Sequence, residues 1–349
     1  MHTLLVVGAG RIGTLTAALL KQAKYKVILA DVKPLSSGVT QFDITDDSAV
    51  RGFFKKNKAI HAVISCLPYF HTLQVAKIAK QYNLNYFDLT EDVAVSQAIK
   101  KLAKNSRTAF VPRCGLAPGL VGIIAHDLAG RFSKIGAISL RVGGLPQYAH
   151  NVLHYAITWS VDGLINEYGN DCQAIEHGKV ISLKPLEDKE ELEIDGMFYE
   201  AFNTSGGIGN LIDLYAHKTN YLNYKTIRYP GHCEGMKFLM NDLKLNDNRE
   251  VLKAILENAL PTTTQDMVIV AISVTGKQDG RNHQEQVIKK YYPQKMGSKL
   301  YSALQFTTAA SLCAVVHHVL KHASKYKGFI FQEEIELVAL KKDFFGKYL

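Results

Sequence analysis

The chain opens with "TLLVVGAGRIG", an apolar run followed by glycines at 8, 10 and 13, and continues at once into "TLTAALLKQA". No other feature of the 349 residues constrains the fold as much. The spacing Gly-x-Gly-x-x-Gly has a use where a buried strand turns directly into a helix. Gly8 permits the tight turn, Gly10 lets backbone approach a pyrophosphate, and Gly13 allows the helix to pack closely on the strand. Arg11 and Ile12 complete the turn at the helix N-terminus, where unsatisfied amides and the helix dipole favour phosphate. The second apolar segment ends "VILAD", which puts Asp31 at the tip of the next strand. A carboxylate there accepts hydrogen bonds from both ribose hydroxyls and repels a 2′-phosphate, so the cofactor read here is NAD in preference to NADP. Lys33, two residues on, softens that repulsion.

The first third continues as short apolar runs separated by amphipathic stretches: "VTQFDI", "HAVISCL", "NYFDLT" and "TAFVP". Unbroken apolar runs mark strands buried on both faces, the pattern of a parallel sheet covered by helices on both sides. Asp43 ends the third run, beside the adenine pocket of such a domain or, equally, as the N-cap of the helix in "DITDDSAV". Cys66, Leu67 and Pro68 end the fourth, near the nicotinamide ribose. At "RCGLAPGLVGIIAHDLAGRF" the character changes, with Pro118 placed in a first helical turn. Longer, more alternating segments follow, with turn signals at His177-Gly178 and Gln278-Asp279-Gly280, and helices are expected near 208–216, 235–243 and 249–259. Residues 298–323 read as one long helix rich in small residues. The expectation is an α/β protein: a Rossmann domain from 1–116 and 300–349, with an inserted α+β substrate and dimerisation domain, its sheet mixed or antiparallel, from 117–299.

Composition excludes several classes. Lysine and arginine exceed aspartate and glutamate by 41 to 32, but the excess is scattered in short pairs rather than gathered on one element, so no nucleic-acid partner is expected. Five well-separated cysteines without a CxxC pair argue for free thiols and no metal. The N-terminus lacks the pattern of a signal peptide, and no apolar run reaches the roughly 20 residues a bilayer requires. A cytoplasmic protein without membrane contact is expected.

Several strings beyond the fingerprint resemble the saccharopine dehydrogenase-like family, and most closely its lysine 6-dehydrogenase branch. They are "CGLAPGL" at 114–120, "VGGLP" at 142–146, "SVDGLINEY" at 160–168, "EAFNTSGG" at 200–207 and "YKTIRYPGH" at 224–232. The resemblance implies an NAD-dependent oxidoreductase working on a carbon–nitrogen bond of a small amino-acid substrate, with hydride passing to the nicotinamide and the resulting imine being hydrolysed. It also implies a homodimer. Lys77, in "QVAKIAK", matches the lysine that related saccharopine reductases use as acid/base group; by its helical position alone it is a solvated lysine. Those relatives carry an aspartate where this chain has Ala117, and often an acid where it has Arg113. Asp88 is then the nearest replacement carboxylate, or a cap for the following helix. For the substrate, the resemblance points to Arg228, whose planar guanidinium suits a carboxylate. Thr204, Ser205, Gly206 and Gly207 would offer hydroxyls and amides, His232 would join them, and Arg141 and Tyr168 are weaker candidates. The departures at Ala117 and Arg113 keep two alternatives open: a catalytically degenerate NAD-binding sensor or scaffold, and an enzyme like the carboxyspermidine and carboxynorspermidine dehydrogenases.

Overall fold

A computed structural model describes residues 2–33 and 37–349. The chain forms two units, Met1–Leu120 with Thr307–Leu349, and Val121–Phe306.

The first unit begins with strand β1 (Thr3–Val7), helix α1 (Arg11–Gln22), β2 (Lys26–Asp31), β3 (Val39–Gln41) and α2 (Asp47–Lys56). It continues through β4 (Ile60–Ser65), α3 (Tyr69–Gln81), β5 (Asn85–Asp88), α4 (Val93–Leu102) and β6 (Ala109–Val111). All five residues of β1 are buried, as the unbroken apolar run requires of a strand covered on both faces. The tail returns to this unit as a short strand, Gly328–Phe329, which pairs parallel with β6. The sheet is parallel throughout, and from its β3 edge runs β3, β2, β1, β4, β5, β6 and the tail strand. The order reverses direction between β1 and β4, and in open α/β sheets ligands bind at the carboxyl ends of strands at that reversal. An apolar core joins Leu5, Val63, Tyr86 and Phe110 from the strands to Val50, Phe54, Val75, Ile78, Ala79 and Ile99 from the helices.

The third strand stops at Gln41, so Asp43 lies beyond it, and the run "VTQFDI" is strand only in its first half. The reason is local. The Asp43 carboxylate accepts from the Thr45 amide at 2.8 Å and its hydroxyl at 2.7 Å, a side-chain turn that takes the chain out of the sheet. The helix is capped instead by Asp46, which accepts from the Ser48 and Ala49 amides. Likewise Asp92, not Asp88, caps α4 through the Val95 amide.

The second unit carries α5 (Leu120–Ala129), β7 (Lys134–Pro146), α6 (Val161–Gly169), β8 (Cys172–Glu176), β9 (Lys179–Leu183), β10 (Glu190–Ile194) and β11 (Met197–Asn203). Then come α7 (Leu211–Tyr215), β12 (Tyr221–Arg228), α8 (His232–Lys237), α9 (Arg249–Ala259), β13 (Asp266–Gln278), β14 (Arg281–Tyr291), β15 (Gln294–Met296) and β16 (Lys299–Tyr301). Its main sheet is mixed: β12 pairs parallel with β7, and the other neighbours are antiparallel. The two turn signals close the β8–β9 and β13–β14 hairpins, with both central residues at positive φ (His177 47°, Gly178 77°; Asp279 51°, Gly280 77°). Helix α5 begins after Pro118 rather than around it, because Gly119 at φ 142° interrupts the chain. The stretch 235–243 is mostly a π-helical turn, Phe238–Asp242, after a shorter α8.

Helix α10 (Ala303–Lys321) starts later than the sequence suggested, since the residues before it form β16. The buried Asp266 carboxylate receives its first amides, Ala303 at 2.6 Å and Leu304 at 3.0 Å. By length and apolarity this helix does qualify as a bilayer span, contrary to the sequence expectation. It is a core helix, with 78% of its most apolar window buried in the protein.

Candidate active site

The glycine turn has the geometry its spacing demands. Gly8 adopts φ 101°, where an added Cβ would also meet the Cys66 carbonyl oxygen at 2.7 Å. A Cβ on Gly13 would collide with the Gly8 carbonyl, so the close approach of α1 to the end of β1 needs glycine there. Gly10 is different: no protein atom stands within 4 Å of where its Cβ would be. Gly10 is the N-cap of α1 and no side chain caps it. The N-terminus of α1 thus has open space beside Gly10 and no side-chain cap for its first-turn amides, as a phosphate seat requires. Asp31 sits beside the turn. One carboxylate oxygen accepts from the Ala9 amide at 2.7 Å and the other from the Lys33 amide at 3.1 Å. Each oxygen keeps a lone pair for a ribose hydroxyl. Cys66 continues the ladder by donating its amide to Val7, while Leu67 and the N-cap Pro68 of α3 follow at the same sheet edge. Burial pushes the Cys66 thiol up to about 12, which rules it out as a thiolate at neutral pH.

The structure does not bring Lys77 and Asp88 together. Lys77 is exposed in the third turn of α3, opposite the buried Val75, Ile78 and Ala79. Asp88 is wholly buried at the end of β5. It accepts from the Tyr86 hydroxyl at 2.6 Å, the Thr90 amide at 2.9 Å and the Arg113 amide at 2.9 Å. Burial raises its carboxyl to about 6 despite those bonds. Asp88 is thus a structural staple, holding the loop after β5 to the loop after β6, with its own carbonyl receiving the Cys114 amide at 2.8 Å. The carboxyl that sequence reasoning passed over is Glu91. It is half-buried on the same edge, and desolvation lifts it to about 7, with Asp92 and Asp88 adding to the rise. Its string, "YFDLTED", had drawn attention to the aspartate alone, because nothing in sequence separates a desolvated glutamate from a solvated one.

In the second unit, Arg228 closes β12 with its guanidinium buried and lying over the rings of Tyr155 (5.0 Å) and Tyr168 (5.8 Å). One Nη donates to the Ile227 carbonyl at 2.8 Å, and Nε has no partner. Among the described residues no carboxylate lies within ion-pair distance of it, and the buried Glu167 acts on its charge from farther away. His232 stands next to this charge. Its Nδ1–H donates to the Leu153 carbonyl at 2.7 Å, so Nε2 accepts from the Tyr168 hydroxyl at 3.1 Å. Burial and the nearby Arg228 push its pKa down to about 3, leaving the ring neutral.

The other candidates in this unit have internal uses. Thr204 donates its hydroxyl to Thr226 at 3.0 Å, and Ser205 donates its hydroxyl to the Asn166 carbonyl and its amide to Glu167. The Gly207 amide donates to Ser205, and a Cβ on Gly207 would strike the Tyr224 ring, so that glycine serves packing. Gly206, at φ 85°, makes the turn. The "TSGG" string is therefore a folded turn supporting the Arg228 strand rather than a row of free donors. Arg141 is likewise engaged, with Glu190 and with Asn223 at 2.8 Å. Among the described residues no group of three or more His, Cys, Asp or Glu side chains is placed to hold a metal ion.

These features define a class: a Rossmann-type fold whose parallel sheet bears a glycine-rich strand–helix turn, joined to a mixed-sheet unit holding a buried guanidinium with no direct ion pair. Residues 115–342 match the profile of the saccharopine dehydrogenase C-terminal domain, and the chain belongs to the saccharopine dehydrogenase-like family. Solved structures agree on the fold. The chain is similar to apo saccharopine dehydrogenase (L-Glu forming) from Saccharomyces cerevisiae, at TM-score 0.75 and 17% identity, over 100% of this chain and 98% of that one. A homospermidine synthase from Legionella pneumophila, solved with NAD, aligns at TM-score 0.69 and 13% identity, over 99% and 89%. The DAP dehydrogenase of C. glutamicum, solved with DAP, aligns at TM-score 0.51 and 12% identity, over 99% and 97%.

Proposed function

We propose that this chain is an NAD-dependent oxidoreductase that oxidises a carbon–nitrogen bond of an amino acid. The observation that carries the substrate class is Arg228. A buried guanidinium with no direct ion pair, its charge eased only by Glu167 at longer range, gains when something anionic arrives to pair with it. Its flat fork suits a carboxylate held by two hydrogen bonds. Tyr155 and Tyr168 fix its plane, and neutral His232 orients the Tyr168 hydroxyl without adding a second charge. An amino-acid carboxylate fits this seat better than a phosphate, whose greater charge calls for more than one cation.

The cofactor seat is the first unit's glycine turn. The open side of Gly10 and the uncapped first turn of α1 would hold the pyrophosphate, and Asp31 would hold a ribose and disfavour a 2′-phosphate. When bound, the nicotinamide supplies the hydride acceptor. The protein's own work is to hold the carboxylate, to keep the amine oriented and to take up its proton.

The test mixes the purified full chain with NAD and a panel of lysine, saccharopine, diaminopimelate and carboxylated polyamines, following absorbance of the reduced cofactor. Reduction by at least one amino acid, and by none of the matching amines lacking the carboxylate, is the expected result. NAD binding with no turnover across the panel refutes the dehydrogenase reading and leaves a cofactor-binding sensor or scaffold in its place.

A further inference from the structure

The loop that follows β5 is built with unusual economy around one side chain. Asp88 holds the Thr90 amide, the Thr90 hydroxyl oxygen accepts the Asp92 amide at 3.2 Å, and Asp92 caps α4 at 2.8 Å through Val95. Every polar side chain from 88 to 92 thus has a structural bond except that of Glu91, whose carboxyl meets only its own backbone amide. Among the described residues no lysine or arginine pairs with it. Asp88, Thr90 and Asp92 make the bonds that hold the loop, and the partly buried Glu91 carboxyl takes no part in holding it.

Its place in the sheet gives that carboxyl a purpose. In register, Val7 of β1 lies beside Ser65 of β4, and Ser65 beside Asp88 of β5. The glycine turn, the Leu67-Pro68 turn and the Glu91 loop are therefore three successive loops at the carboxyl end of the sheet. Two strand spacings, roughly 10 Å, separate the first from the third. Asp31 lies on the other side of the glycine turn, at the tip of β2. If Asp31 takes the adenosine ribose, the opposite half of the dinucleotide has only the β4 and β5 side left to it.

We infer that Glu91 is the residue that faces the nicotinamide end of the cofactor seat and accepts the proton of the substrate amine. The inference rests on the proposed NAD-dependent reaction. In the proton step the N–H bond of the substrate ammonium breaks, its electron pair stays on nitrogen, and the proton passes to a carboxylate oxygen of Glu91. Nothing is oxidised in that step. A carboxyl lifted to about 7 by burial is matched to such work near neutral pH.

The experiment titrates NAD⁺ and NADH separately into the full chain at pH 7 in buffers of differing ionisation enthalpy, for wild type and Glu91→Gln. The oxidised ring is cationic and the reduced ring neutral. A carboxyl with a pKa of about 7 beside the cationic ring should release up to about half a proton on NAD⁺ binding, and none on NADH binding. Glu91→Gln should abolish that difference and weaken NAD⁺ binding by about fivefold, with NADH affinity within about threefold and the melting temperature not lowered. In amine turnover the same variant should lower kcat/KM by about 10²- to 10⁴-fold. Equal proton release for the two redox forms, or a difference that survives in Glu91→Gln, overturns the inference. Absence of binding heat for either dinucleotide overturns it together with the cofactor reading. A silent substrate panel with the Glu91-dependent proton release intact overturns only the substrate class and supports Glu91 at the nicotinamide.

Discussion

Replacing Arg228 by methionine separates a ligand seat from a structural strut, because the two roles give opposite signs. In the unliganded protein the guanidinium has one hydrogen bond to the Ile227 carbonyl, two aromatic rings and an unpartnered Nε. The charge-assisted bond contributes about 1.5–3 kcal/mol, and the rings about 1–2 kcal/mol more. Against them stands an effective desolvation penalty of several kcal/mol for a buried ion. The terms nearly cancel, so Arg228→Met, of similar length and apolar, should leave stability within about 1 kcal/mol of wild type. That corresponds to about 2–4 °C in melting temperature for a domain of this size. Substrate binding should respond far more. Removing one partner of a buried charge pair costs about 2–5 kcal/mol. At about 1.4 kcal/mol per decade this is a loss of roughly 30-fold to several thousand-fold in affinity. The assay pairs thermal melts of the apo chain with KM for the best amino acid of the panel. A fall of 8 °C or more with KM unchanged would refute the reasoning and make Arg228 a strut.

Other perturbations test the remaining parts. Gly10→Ala should fold normally, since its Cβ meets open space, yet lose about tenfold or more in NAD affinity by calorimetry; unchanged affinity would mean the turn is only a fold element. Gly13→Ala should instead fail in both, because its Cβ collides with the Gly8 carbonyl. His232 has a folded pKa of about 3 against an ordinary 6.5, so the fold favours its neutral form. The stability it lends is complete above about pH 6.5 and is lost as pH falls from there toward 3, at about 1.4 kcal/mol per pH unit. Urea midpoints of His232→Asn should lack that slope relative to wild type. The comparison is needed because Asp88, raised to about 6, titrates with the opposite sign over much of the range. Lys77→Met should retain NAD binding and most of the turnover, since Lys77 is exposed on the outer side of α3; loss of turnover with binding intact would return the acid/base role to the lysine.

Local chemistry made the first unit legible. The strand–turn–helix fingerprint, the acid at the tip of β2 and the buried parallel strands are written in contiguous residues, because each reflects backbone geometry or burial within a few turns of chain. The departures there were short-range competitions: Asp43 turning the chain out of β3, and Asp46 and Asp92 capping helices in place of their neighbours. The β8–β9 and β13–β14 hairpins were also readable, from the turn signals at His177-Gly178 and Asp279-Gly280. The strand β11 was not, since "EAFNTSGG" carries a strand end and a turn in one string and only pairing with β12 tells them apart.

What the sequence determined by itself was the strand–glycine turn–helix at the N-terminus and the membership of Arg228 in a set of candidate polar groups. Tertiary structure decided which members of that set have anything left to offer. Ser205, Thr204 and Gly207 are used up by partners far along the chain, Asp88 is a staple between loops, and Lys77 lies in solvent. Arg228 keeps a charge without a direct ion pair, and Glu91 a carboxyl bonded only to its own backbone. Desolvation and hydrogen-bond satisfaction belong to neighbours brought in from distant sequence, which is why the same residue letters can mean a strut in one place and a reactive group in another.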